Sequence, residues 1–491
     1  MEFSMKHINI TKSGLAGGVL AVSLVLNVPA IAQSSGASTD SLPQQIEALD
    51  QKIRVIERLN EIAQEDAKAA AAKQGKVNAS AGNLGVVSGD GAFSLRFSGF
   101  TQIAGRHFLE IPVTTPNHAH DFGLRRVHTD IRGTAFKNFG WRLHSNFAGN
   151  AVALLDVQLD WNLIPEFNLS AGKFKPPTGL ERLLSTPRSP FIEGSFVTAL
   201  QPNRDLGVQA SGSIAKGVLQ YQAGLFNGAQ DGQDNSGDVD GNKDLYVRLF
   251  SQPFVNGSEA LKGFGLGISG STGKHEGSSP AGIATPGRQS INVYTADGTT
   301  TRRFTDTTGA NFTVTTGTTT GTRSNGNLTR VSPQAYYYYG PFGVIGEYTQ
   351  TTQTLVRNVN SAEVTNSAWA VTGSWILTGE KNDYRNGPKV VKSNAWPTTW
   401  GNFGAVELLV RAHGLTIDDK TFAASAYGPA NNQANSIESA LSGGVALGWY
   451  LNNVVKVFAS YDHTTFTQAA SVTVAERPDE KVLSLSFNVA Y

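Results

Sequence analysis

The chain has 491 residues, with 53 glycines, two methionines and no cysteine, and only 40% of its residues are hydrophobic. Beyond its N-terminal stretch no apolar run reaches the ~20 residues that a spanning helix needs, which excludes a bundle of membrane helices. Net charge is +1, and removing Lys6, Lys12 and Glu2 with a leader leaves 38 basic and 38 acidic side chains, so bulk charge selects no anionic partner and local placement must do so.

Residues 1–32 read as a secretory signal peptide. Lys6 and Lys12 supply the positive start, Leu15 to Val28 the apolar stretch, and Ala30-Ile31-Ala32 an A-x-A cleavage site. A cysteine-free chain suits the exposed compartment this implies. A Ser-rich spacer (33–41) follows. Over 42–74 the residues Leu42, Ile46, Leu49, Ile53, Ile56, Asn60, Ala63, Ala67 and Ala70 recur at four-and-three spacing, the seam of a periplasmic α-helical coiled coil. Asn60 is the polar seam residue that fixes register. Residues 75–91 read as a flexible linker.

From about residue 92 to 491 the pattern changes to period two. The last stretch shows it best: Leu483, Leu485, Phe487, Val489 and Tyr491 share one face, while Ser484, Ser486 and Asn488 share the other. Sixteen such runs are predicted, at 93–107, 123–137, 140–149, 152–162, 166–174, 205–213, 216–226, 243–252, 263–271, 329–339, 342–351, 366–378, 403–413, 441–451, 454–463 and 481–491. Connections after the second, fourth, sixth, tenth and fourteenth are tight. Those at 108–122, 175–204, 227–242, 272–328, 352–365, 414–440 and 464–480 are long. An even strand count with alternating short and long connections predicts an all-β, 16-stranded antiparallel transmembrane barrel of the outer membrane, short turns on the periplasmic side. The long connection 379–402 breaks that alternation. Loop 272–328 is rich in Gly, Thr and Ser and reads as mobile.

Parity then assigns faces. Phe93, Leu95, Phe97, Val127, Ile131, Trp141, Leu143, Leu155, Val157, Leu159 and Trp161 are expected toward lipid. Arg96, Phe100, Arg106, Arg126, His128, Asp130, Arg132, Arg142, His144, Asp156, Asp160, Arg248, Glu407, Arg411, His413 and Lys456 are expected toward a water-filled lumen. Two uses of the charges stay open. The guanidinium groups form a path for small inorganic anions, or they pair with carboxylates and brace the wall. The loop 175–204 combines five prolines with Leu183, Leu184, Phe191, Phe196 and Leu200, too apolar for an exposed mobile loop. It is expected to fold inward and narrow the pore, carrying Lys175, Arg182, Arg188 and Arg204 with it. Packing on a neighbouring subunit is the alternative.

Several phrases resemble one family, the phosphate-selective porin O and P family: FGLRRVHTDIRGTAFKNFGWRLH (122–144), LSAGKFKPPTGLERL (169–183), FVTALQPNRDLGVQASG (196–212), WILTGEKNDY (375–384), FGAVELLVRAHGL (403–415) and LGWYLNNVVKVFASYDH (447–463). The resemblance implies a trimeric sixteen-stranded barrel, an inward third loop, a long periplasmic turn tucked into the lumen at 379–402, and an anion pore built from arginines and lysines. By the same resemblance Arg125 and Arg126 match paired arginines of the second strand, Asp156 matches a constriction aspartate, and Arg182 stands where the family has a lysine. The first-strand position that carries an arginine in phosphate-selective members is Phe100 here, and an aromatic ring holds no anion by charge.

The function expected is passive diffusion of small solutes with an anion bias, phosphate or similar, through a homotrimer set in outer-membrane lipid. A general or sugar-type porin using Phe100 and the Tyr336–Tyr339 run is the alternative, as is a tether reaching peptidoglycan through the coiled coil. His128 and His144 lack any G-x-S-x-G partner, so an enzyme is not expected. No cofactor, metal or nucleic-acid signature stands out.

Overall fold

The structure is a computed structural model describing residues 41–80, 83–110, 120–292, 294–305, 311–391, 402–422, 436–470 and 476–491. The expected signal peptide and most of the expected spacer lie outside the described residues.

One unit, ending at Ala69, contains all but the last turn of the helix Ser41–Lys73. Its sequence is rich in Ala, Leu, Glu, Gln, Lys and Arg, all strong helix formers, and Pro43 sits in the first turn, where its missing N–H costs nothing. Asp50 and Arg54 pair one turn apart at 3.0 Å. The predicted seam residues Ile46, Leu49, Ile53 and Ile56 are all exposed. This helix is not apolar enough to cross a membrane.

The second unit is a barrel. Among the described residues, sixteen antiparallel strands form its wall: β1 (Ser94–Phe108), β2 (His120–Ala135), β3 (Phe139–Asn146), β4 (Ala153–Ile164), β5 (Phe167–Phe174), β6 (Asp205–Ile214), β7 (Leu219–Phe226), β8 (Asp244–Ser251), β9 (Phe264–Glu276), β10 (Arg323–Tyr339), β11 (Phe342–Arg357), β12 (Asn360–Ile376), β13 (Ala405–Thr416), β14 (Ile437–Tyr450), β15 (Val455–Gln468) and β16 (Glu480–Ala490). Each pairs with the next, and β16 pairs with β1 from Val482↔Phe108 to Ala490↔Phe100, which closes the sheet and leaves no free edge along that seam. The chain end is tied down too, since the backbone of Tyr491 exchanges hydrogen bonds with Gly99.

The wall is inside-out relative to a soluble protein. On β16, Leu483, Leu485 and Phe487 are exposed while Val482, Ser486 and Asn488 are buried. The same holds on β14, where Leu441, Val445 and Leu447 face outward and Ser442 faces in. A continuous outward apolar surface requires lipid as its solvent. Aromatic pairs sit beside the short turns: Phe139–Trp161 at 5.8 Å, Phe342–Trp375 at 5.7 Å and Phe403–Trp449 at 5.1 Å between ring centroids. Such a girdle marks one membrane–water boundary. Tyr348 and Trp369, paired six residues further along β11 and β12, belong to the opposite belt. The six-residue rise spans ~20 Å along the strand.

Four expectations change. Residues 75–91 are not a plain linker: Lys76–Ser80 and Asn83–Val87 pair as a hairpin, and the second of these continues onto β1 through Leu84↔Phe97 to Val87↔Ser94. Unpaired edge groups on the lower part of β1 recruit it. The connection 352–365 is not a long loop. β11 and β12 run on to Arg357↔Asn360, and a two-residue turn joins them with Asn358 at φ 55. The Thr-rich run of residues 349–356, ending in Leu355 and Val356, favours continued pairing. Leu155 does not face lipid with Val157. A register shift between His144 and Ser145 makes it a bulge residue, and it is buried. The loop expected to be mobile at 272–328 is shortened by longer strands to 277–322 and contains two small hairpins, Ile283–Ala284 with Ser290–Asn292 and Gly298–Thr305 with Asn311–Thr319.

Candidate functional site

The loop between β5 and β6 (175–204) crosses the lumen, as its composition predicts. Leu180 and Leu184 pack on Phe250, Tyr336 and Ile345 of β8, β10 and β11. Phe191 and Ile192 pack on Leu409, Ala446 and Phe458 of β13, β14 and β15. Phe196, Val197 and Leu200 pack against Ala368 and Ala370 of β12, Leu415 of β13 and Ala440 of β14. Glu347 of β11 caps the loop's backbone, accepting from the Leu180 and Glu181 N–H groups at 2.9 and 3.1 Å. Opposite the short-turn end of this loop, residues of the 377–404 connection enter the lumen. The Tyr384 ring stacks on Tyr336 at 4.6 Å, and its hydroxyl donates to the Leu180 carbonyl at 2.9 Å.

The passage that remains follows the wall formed by β16, β1 and β2. Three voids lie in line along it. The void toward the long loops, about 110 Å³, is lined by Arg106, Asp121, Arg125, Ile192, Glu193 and Arg288, among others. Ile192 also lines the next, of only about 20 Å³, together with Phe100, Gln102, Arg126, Phe191, Lys456, Phe458 and Asn488. Phe100, Thr186 and Pro187 are shared with the third, about 560 Å³, toward the short turns. The middle void has space for about one water and is the smallest of the three, the bottleneck of the series. Its charged lining is Arg126 and Lys456, both basic. The third void is lined by Arg96, Arg132, Arg142, Lys175, Arg188 and Arg204 against Asp130 and Asp156, six basic groups to two carboxylates.

At the bottleneck Arg126 donates to Gln102, and to the Ile192 carbonyl at 2.9 Å. The Lys456 ammonium lies 4.6 and 4.7 Å from the Tyr450 and Phe458 ring centres and donates to the Tyr450 hydroxyl at 3.0 Å. Arg125 reaches the lumen because of a bulge. The register shifts between Gln102 and Ile103, whose partners are Arg126 and Leu124, so Arg125 is the extra residue and turns inward beside its neighbour. It grips Glu193 with both ends of its fork, at 2.5 and 2.8 Å. Burial alone would raise the Glu193 carboxyl, but this bond with Arg125 holds it below its ordinary value.

A family model, phosphate-selective porin O and P, matches residues 109–491. The chain belongs to that family. Among solved structures, the porin is similar to the trimer form of OmpT of Vibrio cholerae (10% identity, covering 82% of this chain and 100% of that one, TM-score 0.45). It is similar to the channel DcaP of Acinetobacter baumannii (10%, 82% and 98%, 0.47) and to an anion-selective porin from Comamonas acidovorans (12%, 81% and 100%, 0.43). A comparison with curated proteins gives no match.

The expected charges of this porin fall into distinct sets. Asp156 is the hub of one, accepting from Arg142 at 2.9 Å, His144 at 2.7 Å and Arg204 at 2.8 Å. It thereby ties the wall to the end of the inward loop. Asp130 pairs with Arg132 and Arg142, both at 2.8 Å. Arg96 lines the same void. Arg182 does not face the passage; its guanidinium donates to the Thr198 carbonyl and, at 3.1 Å, to Asn203, clasping its own loop. Lys175 does the same through the Arg182 and Leu184 carbonyls, at 2.7 and 2.8 Å, from the edge of the third void. Burial, with Arg204 and Arg182 nearby, pushes its ammonium down to about 7. Arg248 lies across the lumen from the passage, bonded to Gln334 and Gln222. Arg411 pairs with Asp462 at 3.0 Å and lies 4.0 Å from the Phe191 ring centre. Arg106 belongs to the long-loop mouth, 3.0 Å from Asp121. Arg188 stands between the third void and Tyr384.

Glu193 and Arg288 are the residues that sequence reading misses. Glu193 is an ordinary acid in a Pro-rich loop, and Arg288 lies in a Gly/Thr-rich segment whose place over β1 and β2 no local pattern encodes.

Proposed function

We propose that this outer-membrane porin passes small solutes by passive diffusion with a preference for anions, phosphate or similar inorganic ions. One observation carries the reading: the bottleneck is bounded by Arg126 and Lys456 and by no carboxylate in its lining. An ion squeezed past two fixed positive charges in a partly dehydrated space favours negative charge. The third void adds an excess of basic groups that concentrates anions on one side of the bottleneck. Arg125 is engaged by Glu193, and Phe100 carries no charge, so the reading is anion preference and not tight phosphate capture.

The short turns belong to the periplasmic side, and the helix Ser41–Lys73 lies there as the core of a homotrimeric coiled coil. Its exposed Ile46, Leu49, Ile53 and Ile56 support that role, since a seam of this kind needs partners.

Planar-bilayer recording of purified protein under a KCl gradient tests the function. A reversal potential on the chloride side is expected, arriving in threefold conductance steps. A potential on the potassium side overturns the anion reading. The rings of Phe100, Phe191 and Phe458 in the bottleneck favour a second reading, a sugar-type pore. Block by maltodextrins with no ion preference would establish it instead.

A further inference from the structure

We infer that Glu193 is a tethered counter-ion that occupies an oxyanion site at the long-loop mouth and thereby sets how strongly the porin prefers anions. The inference rests on the anion reading above. Arg125 holds the carboxylate at 2.5 and 2.8 Å in the two-pronged geometry by which guanidinium groups recognise free oxyanions. The Arg126 guanidinium lies 3.8 Å from the other side of the same group. Arg288, carried in by the 277–322 loop, lies 3.9 Å away and is anchored by Asp121. Three cations from two different segments thus converge on one acid.

The acid is placed there by its backbone. The Glu193 carbonyl accepts from Arg411 at 2.8 Å, and the preceding Ile192 carbonyl accepts from Arg126 at 2.9 Å. The loop tip is therefore stapled to β2 and β13 through main-chain oxygens, which a side-chain substitution at 193 leaves intact. The adjoining void of about 110 Å³ has room for roughly three or four waters, enough for a small oxyanion with part of its shell. With the tethered carboxylate in place, an entering anion meets a neutralised Arg125. Without it, the same guanidinium groups face the passage unfilled, directly above a bottleneck lined by Arg126 and Lys456.

The test compares the full-length protein with E193Q and with R125Q in planar bilayers, reading reversal potential under a KCl gradient and block by inorganic phosphate. Gln keeps the size of Glu and one accepting oxygen, and removes the charge together with the second acceptor. E193Q is expected to raise the chloride-to-potassium permeability ratio about threefold to tenfold and to lower the phosphate concentration for half-block about tenfold. R125Q, which removes the acid's two-pronged partner and one positive charge, is expected to shift selectivity toward potassium. A plain bracing role predicts a different result, conductance changed equally for both ions with no shift in reversal potential, and that outcome overturns the inference. Anion-selective wild type with unchanged E193Q refutes the counter-ion while sparing the anion reading. Cation-selective wild type refutes the anion reading itself, and the inference with it.

Discussion

Replacing Lys456 with Met isolates the electrostatics of the bottleneck. Met keeps an unbranched apolar stem against the Tyr450 and Phe458 rings and removes the ammonium, whose hydrogen bond goes to a neutral hydroxyl. The void it borders has space for only about one water, so a permeating ion passes close, at about 5 Å. At that distance, with an effective dielectric of about 40, a unit charge contributes ~1.7 kcal/mol. Screening at 0.1 M salt, with a Debye length of about 10 Å, reduces this to ~1 kcal/mol. A chloride loses that stabilisation and a potassium ion is relieved of the same penalty, so the difference between them changes by ~2 kcal/mol. The permeability ratio should therefore fall by about tenfold to thirtyfold, read from the reversal potential in a KCl gradient, with Lys456→Arg retaining wild-type preference. An unchanged potential in Lys456→Met would mean that ions do not pass this void, and the assignment of the bottleneck would be wrong.

Three further outcomes are expected. Asp156→Asn leaves Arg142 and Arg204 without their shared carboxylate in a buried setting, a loss of about 3–5 kcal/mol that should appear as a lower thermal transition of the folded barrel in detergent, accompanied by increased anion preference. Lys175 is charged below about 7 and neutral above it, so anion preference should decline as pH rises through that value, and Lys175→Met should remove this component. Arg330 joins Asp231 of the 227–243 connection at 2.7 Å to Asp244 of β8 at 3.3 Å, all three buried. Arg330→Met takes from Asp231 its ion-pair partner while Asp244 keeps His275 and Tyr246, and limited proteolysis should then cut within 227–243 while sparing the wall.

The wall was legible because its signal is local. Alternation on β16, and turn residues such as Gly340-Pro341 and Asn452-Asn453, depend only on neighbours in sequence. Short-range information fails where register slips. Leu155 and Arg125 both sit at bulges, and a bulge moves one residue out of parity without any compositional mark. It fails again where Thr-rich segments serve equally as loop or strand, as at residues 349–357. The charges show the deeper limit. Parity placed Arg126, Arg142 and Lys456 inside, but whether each is engaged depends on acids up to 68 residues away, as Arg125 and Glu193 are. That separation is why the competing readings of brace and path stay open in the sequence, and why the proposal uses both: brace at Asp156, path at Lys456.

The inward loop also has a mechanical meaning. A cylinder one sheet thick resists stretching along its hydrogen bonds but yields readily to flattening, because bending a sheet breaks no bond. The loop meets β8, β10 and β11 through Leu180 and Leu184, and β13 to β15 through Phe191 and Ile192, while Arg204 pulls on β4. It acts as a strut across the tube. Lateral pressure from the bilayer is then carried by packed side chains and not by curvature of the wall, so the cross-section stays round. The same part that narrows the opening keeps its width constant.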